Sequence, residues 1–520
     1  MIWRVIHWRA AWLALALLVV SIAPASATGK GGGAGPSHDR PGDAKPHGLQ
    51  GHLERDIKRL TNELEARGYA VARGSFKLFT IADCQYPIAV IGNCMGNNPA
   101  APYVIPALPA WPDEYIDQSL AGLLGPFPGG ASPTFRLDNR EAVLIVGQLP
   151  PPARYFGVQT YVFTRTTTLN PADPIYQLTL ADPVMHSILF DQAPDPSRVI
   201  MFSSIGNSNN NVVIERQSGK AFNQRRAFVM STDAGLGREM TAALVHARVS
   251  NQDEVFSEPV SPEVARLGLG QAADDFLTVI RYAQPVDKAA GERWRQQIPL
   301  AVLRVRDKNA KPTEPWPKPV YEPKTARSEQ ALQPDLAKLV TAIKRRWNQP
   351  NADAGQFQSL QLSLDLIGQH CLLRPMNCLG DTQDADYQVS PSLVIDDGTV
   401  VAVAGTLGTE TGNATYVGLS VNWLAVLEGV VNVSDPDLRG SASPFSRVVG
   451  NAGKLYVQYF ARDCTGIDHC QQITEQMVPK GNVVKVIQRN YVKPGTERGP
   501  DPTRLLNPVA IILNRSALTR

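Results

Sequence analysis

The hydrophobic and polar positions of this chain fall into segments that occur twice. Leu53, Ile57, Leu60 and Leu64 make one apolar stripe at helical spacing, Glu54, Arg55, Lys58 and Glu65 lie elsewhere, and Gly68 supplies a stop. Pro334 to Trp347 repeats that stepping. Each helical pattern leads into a predicted strand, over Phe76 to Ile81 in the first case and Leu360 to Ile367 in the second. There Leu360, Leu362, Leu364 and Leu366 alternate with Gln361, Ser363 and Asp365, as in a half-buried strand. Unbroken apolar runs follow at Ala142 to Val146 and Val400 to Ala404. Closing strands are predicted at Pro299 to Leu303 and Pro508 to Ile512.

A shared motif sits between these strands. Asn93-Cys94-Met95-Gly96-Asn97, continuing to Ala101 and Tyr103, returns as Asn377-Cys378-Leu379-Gly380-Asp381, continuing to Ala385 and Tyr387. Further on, Ala153-Arg154-Tyr155-Phe156-Gly157 matches Ala414-Thr415-Tyr416-Val417-Gly418. Val279-Ile280-Arg281-Tyr282 matches Val486-Ile487-Gln488-Arg489-Asn490-Tyr491 if two residues are inserted. Matches that keep one order along the chain mark a tandem duplication.

The expected fold is therefore α+β, a tandem duplication of two related domains, each a mainly antiparallel sheet with covering helices. The expected boundaries are a signal peptide at 1–27, a disordered Gly/Pro-rich tether at 28–52, a first repeat domain with an insertion at 53–307, a Pro-rich linker at 308–327 and a second repeat domain at 328–520. The insertion includes a predicted helix from Leu236 to Val249, capped by Thr232 or Asp233. Trp316 in the linker is expected to dock on a domain surface.

The N-terminus changes the picture of where this fold works. A basic start with Arg4 and Arg9, an apolar run from Ala10 to Val20 and Ala25-Ser26-Ala27 have the order of a cleavable export signal. The run is too short to cross a bilayer, so the expected location is exported, periplasmic or extracellular, with no integral membrane segment after cleavage. In that setting the six cysteines read as disulfides. Pairing Cys84 with Cys94, Cys371 with Cys378 and Cys464 with Cys470 closes every loop locally. His370 and His469 adjoin two of these cysteines, but the spacings fit no usual zinc pattern, so no metal is expected.

Charge excludes one class. Lys+Arg 51 against Asp+Glu 48 leaves +3, with no basic run carrying interleaved aromatics, so there is no nucleic-acid footprint. The serine-hydrolase elbow, H-E-x-x-H, the P-loop and a strand-to-helix G-x-G-x-x-G are all missing from the sequence. No cofactor is expected.

What the duplication keeps is Gly, Cys, Tyr and an Asn or Asp, a set suited to shaping a loop and contacting a polar ligand. The candidate ligand-binding residues are Asn97, Tyr103, Tyr155, Asp381, Tyr387 and Tyr416, whose rings could stack on sugars. The bland alternatives are a solvated polar turn for Asp381, Asp384 and Asp386, and core positions for the tyrosines. The reading favoured is a non-catalytic, disulfide-stabilised binding protein for a glycan or other polar envelope ligand. The alternative is a secreted hydrolase using Asp381 and Asp384 as acid and base. The sequence gives no oligomeric state.

Overall fold

The computed structural model describes residues 46–190, 193–307 and 311–517. The expected signal peptide and most of the tether lie outside those residues. The last part of the tether does not: a helix spans Pro46–Ala66, so helical structure begins ahead of the apolar stripe that predicted it.

In the first half the strands are β1 (Ala70–Arg73), β2 (Ser75–Phe79), β3 (Tyr103–Ala107), β4 (Thr134–Phe135), β5 (Glu141–Gln148) and β6 (Ala153–Thr166). They continue with β7 (Arg198–Ser204), β8 (Asn209–Asn210), β9 (Arg225–Ser231), β10 (Val255–Pro259), β11 (Asp275–Pro285) and β12 (Leu300–Arg306). The second half has β13 (Ala354–Gln356), β14 (Gln358–Ser359), β15 (Ala385–Val389), β16 (Leu393–Val394), β17 (Thr399–Thr406) and β18 (Tyr416–Trp423). Its remaining strands are β19 (Glu428–Ser434), β20 (Leu455–Ala461), β21 (Cys470–Gln472), β22 (Val483–Tyr491) and β23 (Val509–Asn514).

Each half builds two sheets, and the strand orders correspond. The outer sheet runs β1-β12-β5-β9-β10 in the first half and β13-β23-β17-β20-β21 in the second. In both, the last strand alone is parallel to its neighbour. The inner sheet runs β2-β3-β11-β6-β7 in the first half and β14-β15-β22-β18-β19 in the second, with β4 on β11 and β16 on β22. The fold is thus α+β with a tandem two-part layout.

The outer sheets explain the unbroken apolar runs. On β5, Val143 and Ile145 face the inner sheet, while Ala142, Leu144 and Val146 face the helices Pro46–Ala66 and Ala234–His246. On β17, Val401 and Val403 face inward, and Val400, Ala402 and Ala404 face the helix Gln333–Arg346. A strand covered on both faces has no solvent side to mark with polar residues.

The parallel edge strands need different connections. Between β9 and β10 the chain forms the helix Ala234–His246, whose N-terminus is capped by Asp233. Between β20 and β21 there is only a short loop, pinned by the Cys464–Cys470 disulfide. The linker docks on the first half, where Trp316 donates from Nε1 to Ser231 Oγ (3.1 Å) and the backbone N–H groups of Thr313 and Glu314 donate to Asp233 Oδ2 (2.9 and 2.7 Å).

Two expectations need correction. Leu360 to Ile367 is not a strand: only Gln358 and Ser359 pair with β15, and Leu360–Leu364 turns as a helix. The alternation misled because Asp365 breaks the segment in a left-handed conformation (φ 49°), and Leu360, Leu364 and Leu366 pack with the Cys371–Cys378 loop while Leu362 is exposed. The register of the last matched strands also differs by one. Arg281 of β11 lies opposite Gly157, and Arg489 of β22 lies opposite Gly418. Arg281 is therefore the equivalent of Arg489 with no insertion, and Ala283, not Tyr282, corresponds to Tyr491.

Candidate functional site at the seam between the repeats

The inner sheets face each other, and each half reaches across to the other through its disulfide loop. All three bridges are the local ones, Cys84–Cys94, Cys371–Cys378 and Cys464–Cys470. In the first loop the N–H groups of Cys94 and Gly96 donate to the carbonyls of Val426 and Leu427 in the second half (both 2.8 Å). In the second loop the N–H groups of Cys378 and Gly380 donate to Met201 and Phe202 in the first half (2.8 and 2.9 Å). The exchange is reciprocal, as in a two-fold dimer interface folded into one chain. Met95 and Gly96 have φ 57° and 67°, and Leu379 and Gly380 have φ 56° and 63°, the left-handed turn that the motif's glycine accommodates.

The variable Asn/Asp of the motif completes each contact. Asn97 Oδ1 accepts from the Gly429 N–H (2.7 Å) and its Nδ2 donates back to the Gly429 carbonyl (3.3 Å). Asp381 accepts from the Ser204 N–H (2.8 Å), Ser204 Oγ (2.7 Å), the Gly368 N–H (2.9 Å) and Gln383 Nε2 (2.8 Å). Burial pushes the Asp381 carboxyl up, and these donors oppose the shift.

Between the loops lies a cavity of about 90 Å³ whose lining is paired across the seam. Gly96 and Gly380, Met95 and Leu379, Tyr103 and Tyr387, and Arg281 and Arg489 all line it, with Tyr491 alongside. Strand register sets this: Tyr103 is opposite Arg281 across β3 and β11, and Tyr387 is opposite Arg489 across β15 and β22. The guanidinium carbons lie 5.7 Å from the Tyr103 ring centre and 5.8 Å from that of Tyr387.

Of the six candidate residues, Tyr103 and Tyr387 line this cavity and are half-buried. Tyr155 and Tyr416 are buried beside it, with ring centres 4.6 and 5.3 Å from that of Tyr491. Asn97 and Asp381 are buried in the loop contacts. The sequence reading missed Arg281, Arg489 and Tyr491. An arginine shortly after a Val-Ile pair, present in both halves, was the available signal.

The Asp-rich loop is not solvated. Asp384 accepts from Tyr155 Oη (2.9 Å), Asn210 Nδ2 (3.0 Å) and Thr382 Oγ1 (2.6 Å), so Asp381 and Asp384 are both occupied by structural donors. Among the described residues one oxygen of Asp386 has no hydrogen-bond partner, and it lies beside a cavity of about 20 Å³, room for about one water. Burial raises Asp386 to about 6 and lowers Lys324, on the same small cavity, to about 8. Among the described residues there is no cluster of His, Cys, Asp and Glu arranged to hold a metal ion, and no helix long and apolar enough to cross a membrane.

No protein-family model matches this chain, and no curated protein matches it. Among solved structures it is similar to the crystal structure of an uncharacterized protein from Burkholderia cenocepacia, at 11% identity over 92% of each chain with a TM-score of 0.39.

Proposed function

We propose that this chain is an exported, non-catalytic binding protein that holds a small polar ligand in the seam between its repeats. The observation that carries the reading is the cavity lined in equivalent pairs, Tyr103 with Tyr387 and Arg281 with Arg489, so that one ligand meets both repeats at once. A volume of about 90 Å³ favours a small molecule over a glycan chain. Three disulfides fit an oxidising compartment, which supports export. The hydrolase alternative has less support, because Asp381 and Asp384 already accept from structural donors.

A thermal-shift screen of the full chain against small polar molecules tests the reading. A bound ligand at about a hundred times its Kd should add about 2.7 kcal/mol of stability. Tyr387→Ala should remove that response. Hits that ignore Tyr387→Ala, or a screen without hits, would count against a seam site.

A further inference from the structure

Buried arginines in this protein usually carry a carboxylate. Arg136 has Asp275 at 3.0 Å, Arg165 has Asp274 at 2.7 Å, Arg198 has Asp275 at 2.8 Å and Arg304 has Glu114 at 2.6 Å. Arg281 and Arg489 are also buried, each 5% exposed, yet among the described residues neither forms an ion pair. Among the described residues Arg281 donates one long bond, 3.4 Å, to the Gly380 carbonyl, and its Nη1 finds no hydrogen-bond partner. Arg489 donates to the Gly96 carbonyl (3.2 Å) and to Ser420 Oγ. Arg498 also lacks an ion pair, but it lies outside this cavity and donates to Gln383 Oε1 (3.0 Å). Two like charges therefore line one cavity, met among the described residues by carbonyls, the Ser420 hydroxyl and tyrosine rings and by no carboxylate.

Taking a cation out of water without a counter-charge is strongly unfavourable, and a second one nearby adds to the cost. A core position that needed only packing would be filled more stably by an apolar residue of similar size. From this we infer that the seam is built for a small organic anion, its carboxylate gripped by Arg281 and Arg489. The inference rests on the binding function proposed above and adds the ligand's chemical class. Guanidinium groups match a planar carboxylate through paired N–H donors. The rest of the cavity is apolar, walled by Phe79, Met95, Phe202, Leu379, Leu427 and Ile487, so the anion carries a short hydrocarbon body. An engineered apolar cavity of about 150 Å³ takes up benzene. The smaller volume here suits a short aliphatic chain better than a ring.

The test is calorimetric titration of the full, disulfide-intact chain with butyrate, its neutral isostere butyramide, and inorganic phosphate. Butyrate should bind, and butyramide should bind about tenfold more weakly or worse for loss of the charge-assisted bonds. Phosphate, lacking the apolar body, should bind more weakly than butyrate. Arg281→Met and Arg489→Met should each abolish the butyrate response while leaving the ligand-free Tm unchanged or raised, which a purely structural arginine would not do. Equal binding of butyramide, phosphate binding as tight as butyrate, or variants that lose stability but keep butyrate binding would overturn the assignment. A neutral ligand that binds at the seam and is lost in Tyr387→Ala would overturn the anion assignment and keep the broader binding function. Absence of any ligand, charged or neutral, would overturn both.

Discussion

Asn97 and Gly429 hold each other by a two-way bond: the glycine N–H donates to Asn97 Oδ1 at 2.7 Å, and Asn97 Nδ2 donates back to the glycine carbonyl at 3.3 Å. At the equivalent position Asp381 only accepts, from four donors. The Asn/Asp difference between the repeats thus follows from what each side chain meets. Asp381→Asn should turn one acceptor oxygen into a donor facing donors, costing about 2–3 kcal/mol in chemical denaturation. Asn97→Asp should lose its donated bond and set a carboxylate against a carbonyl, destabilising by a similar amount. If both swaps were neutral, the side-chain contacts would not be what seals the seam.

The pair of strand glycines makes a second prediction. A Cβ on Gly157 would lie 2.6 Å from the Tyr155 hydroxyl, and one on Gly418 would lie 2.7 Å from the Tyr416 hydroxyl. Residues two apart on a strand share a face, so each tyrosine lies across its glycine. Tyr155 Oη is tied to Asp384, whereas among the described residues Tyr416 Oη is held by no comparable hydrogen bond. Gly157→Ala should therefore cost about 2–3 kcal/mol and Gly418→Ala about 1 kcal/mol. Adding Tyr155→Phe should recover part of the Gly157→Ala loss, read as a double-mutant cycle in urea.

Glu258 gives a pH dependence with a definite sign. It is buried on β10, accepts from the Thr160 N–H (2.6 Å) and Thr160 Oγ1 (3.0 Å), and burial raises its carboxyl to about 7. The folded value lies above the unfolded one, so the native state keeps the proton longer. Its contribution is complete below pH about 4.5, is lost as pH rises to about 7, and is flat above. Glu258→Gln should match the parent near pH 4 and exceed it near pH 8 by about 3 kcal/mol. A difference that did not change with pH would show that Glu258 titrates normally.

The disulfides are expected to act through the seam. Replacing Cys371 and Cys378 with serine should cost about 2–3 kcal/mol in the chain-entropy view. It should also loosen the Cys378 and Gly380 N–H bonds to Met201 and Phe202. Hydrogen exchange at those amides should speed up more than at amides of β17. Uniform exchange across both sites would mean the bridge does not position the loop.

Much of this architecture was legible in the chain because local patterns carried it. Short loops decided the cysteine pairing. Helical stepping gave the covering helices, and the ordered matches gave the duplication. Leu360 to Ile367 failed because alternation alone cannot report that a strand has no partner to pair with beyond Ser359.

The site divides the same way. The sequence by itself determined that Gly96, Gly380, Tyr103 and Tyr387 belong together as equivalents, since duplication preserves residue type and order. Only the tertiary structure decided that Asn97 and Asp381 seal the seam, that Tyr155 and Tyr416 are core, and that Arg281 and Arg489 share a cavity without a counter-charge. The physical reason is that burial and charge compensation depend on what the other half of the chain places opposite each residue. That partner lies hundreds of positions away, and it is fixed by sheet register, where a slip of one residue turns a side chain to the other face.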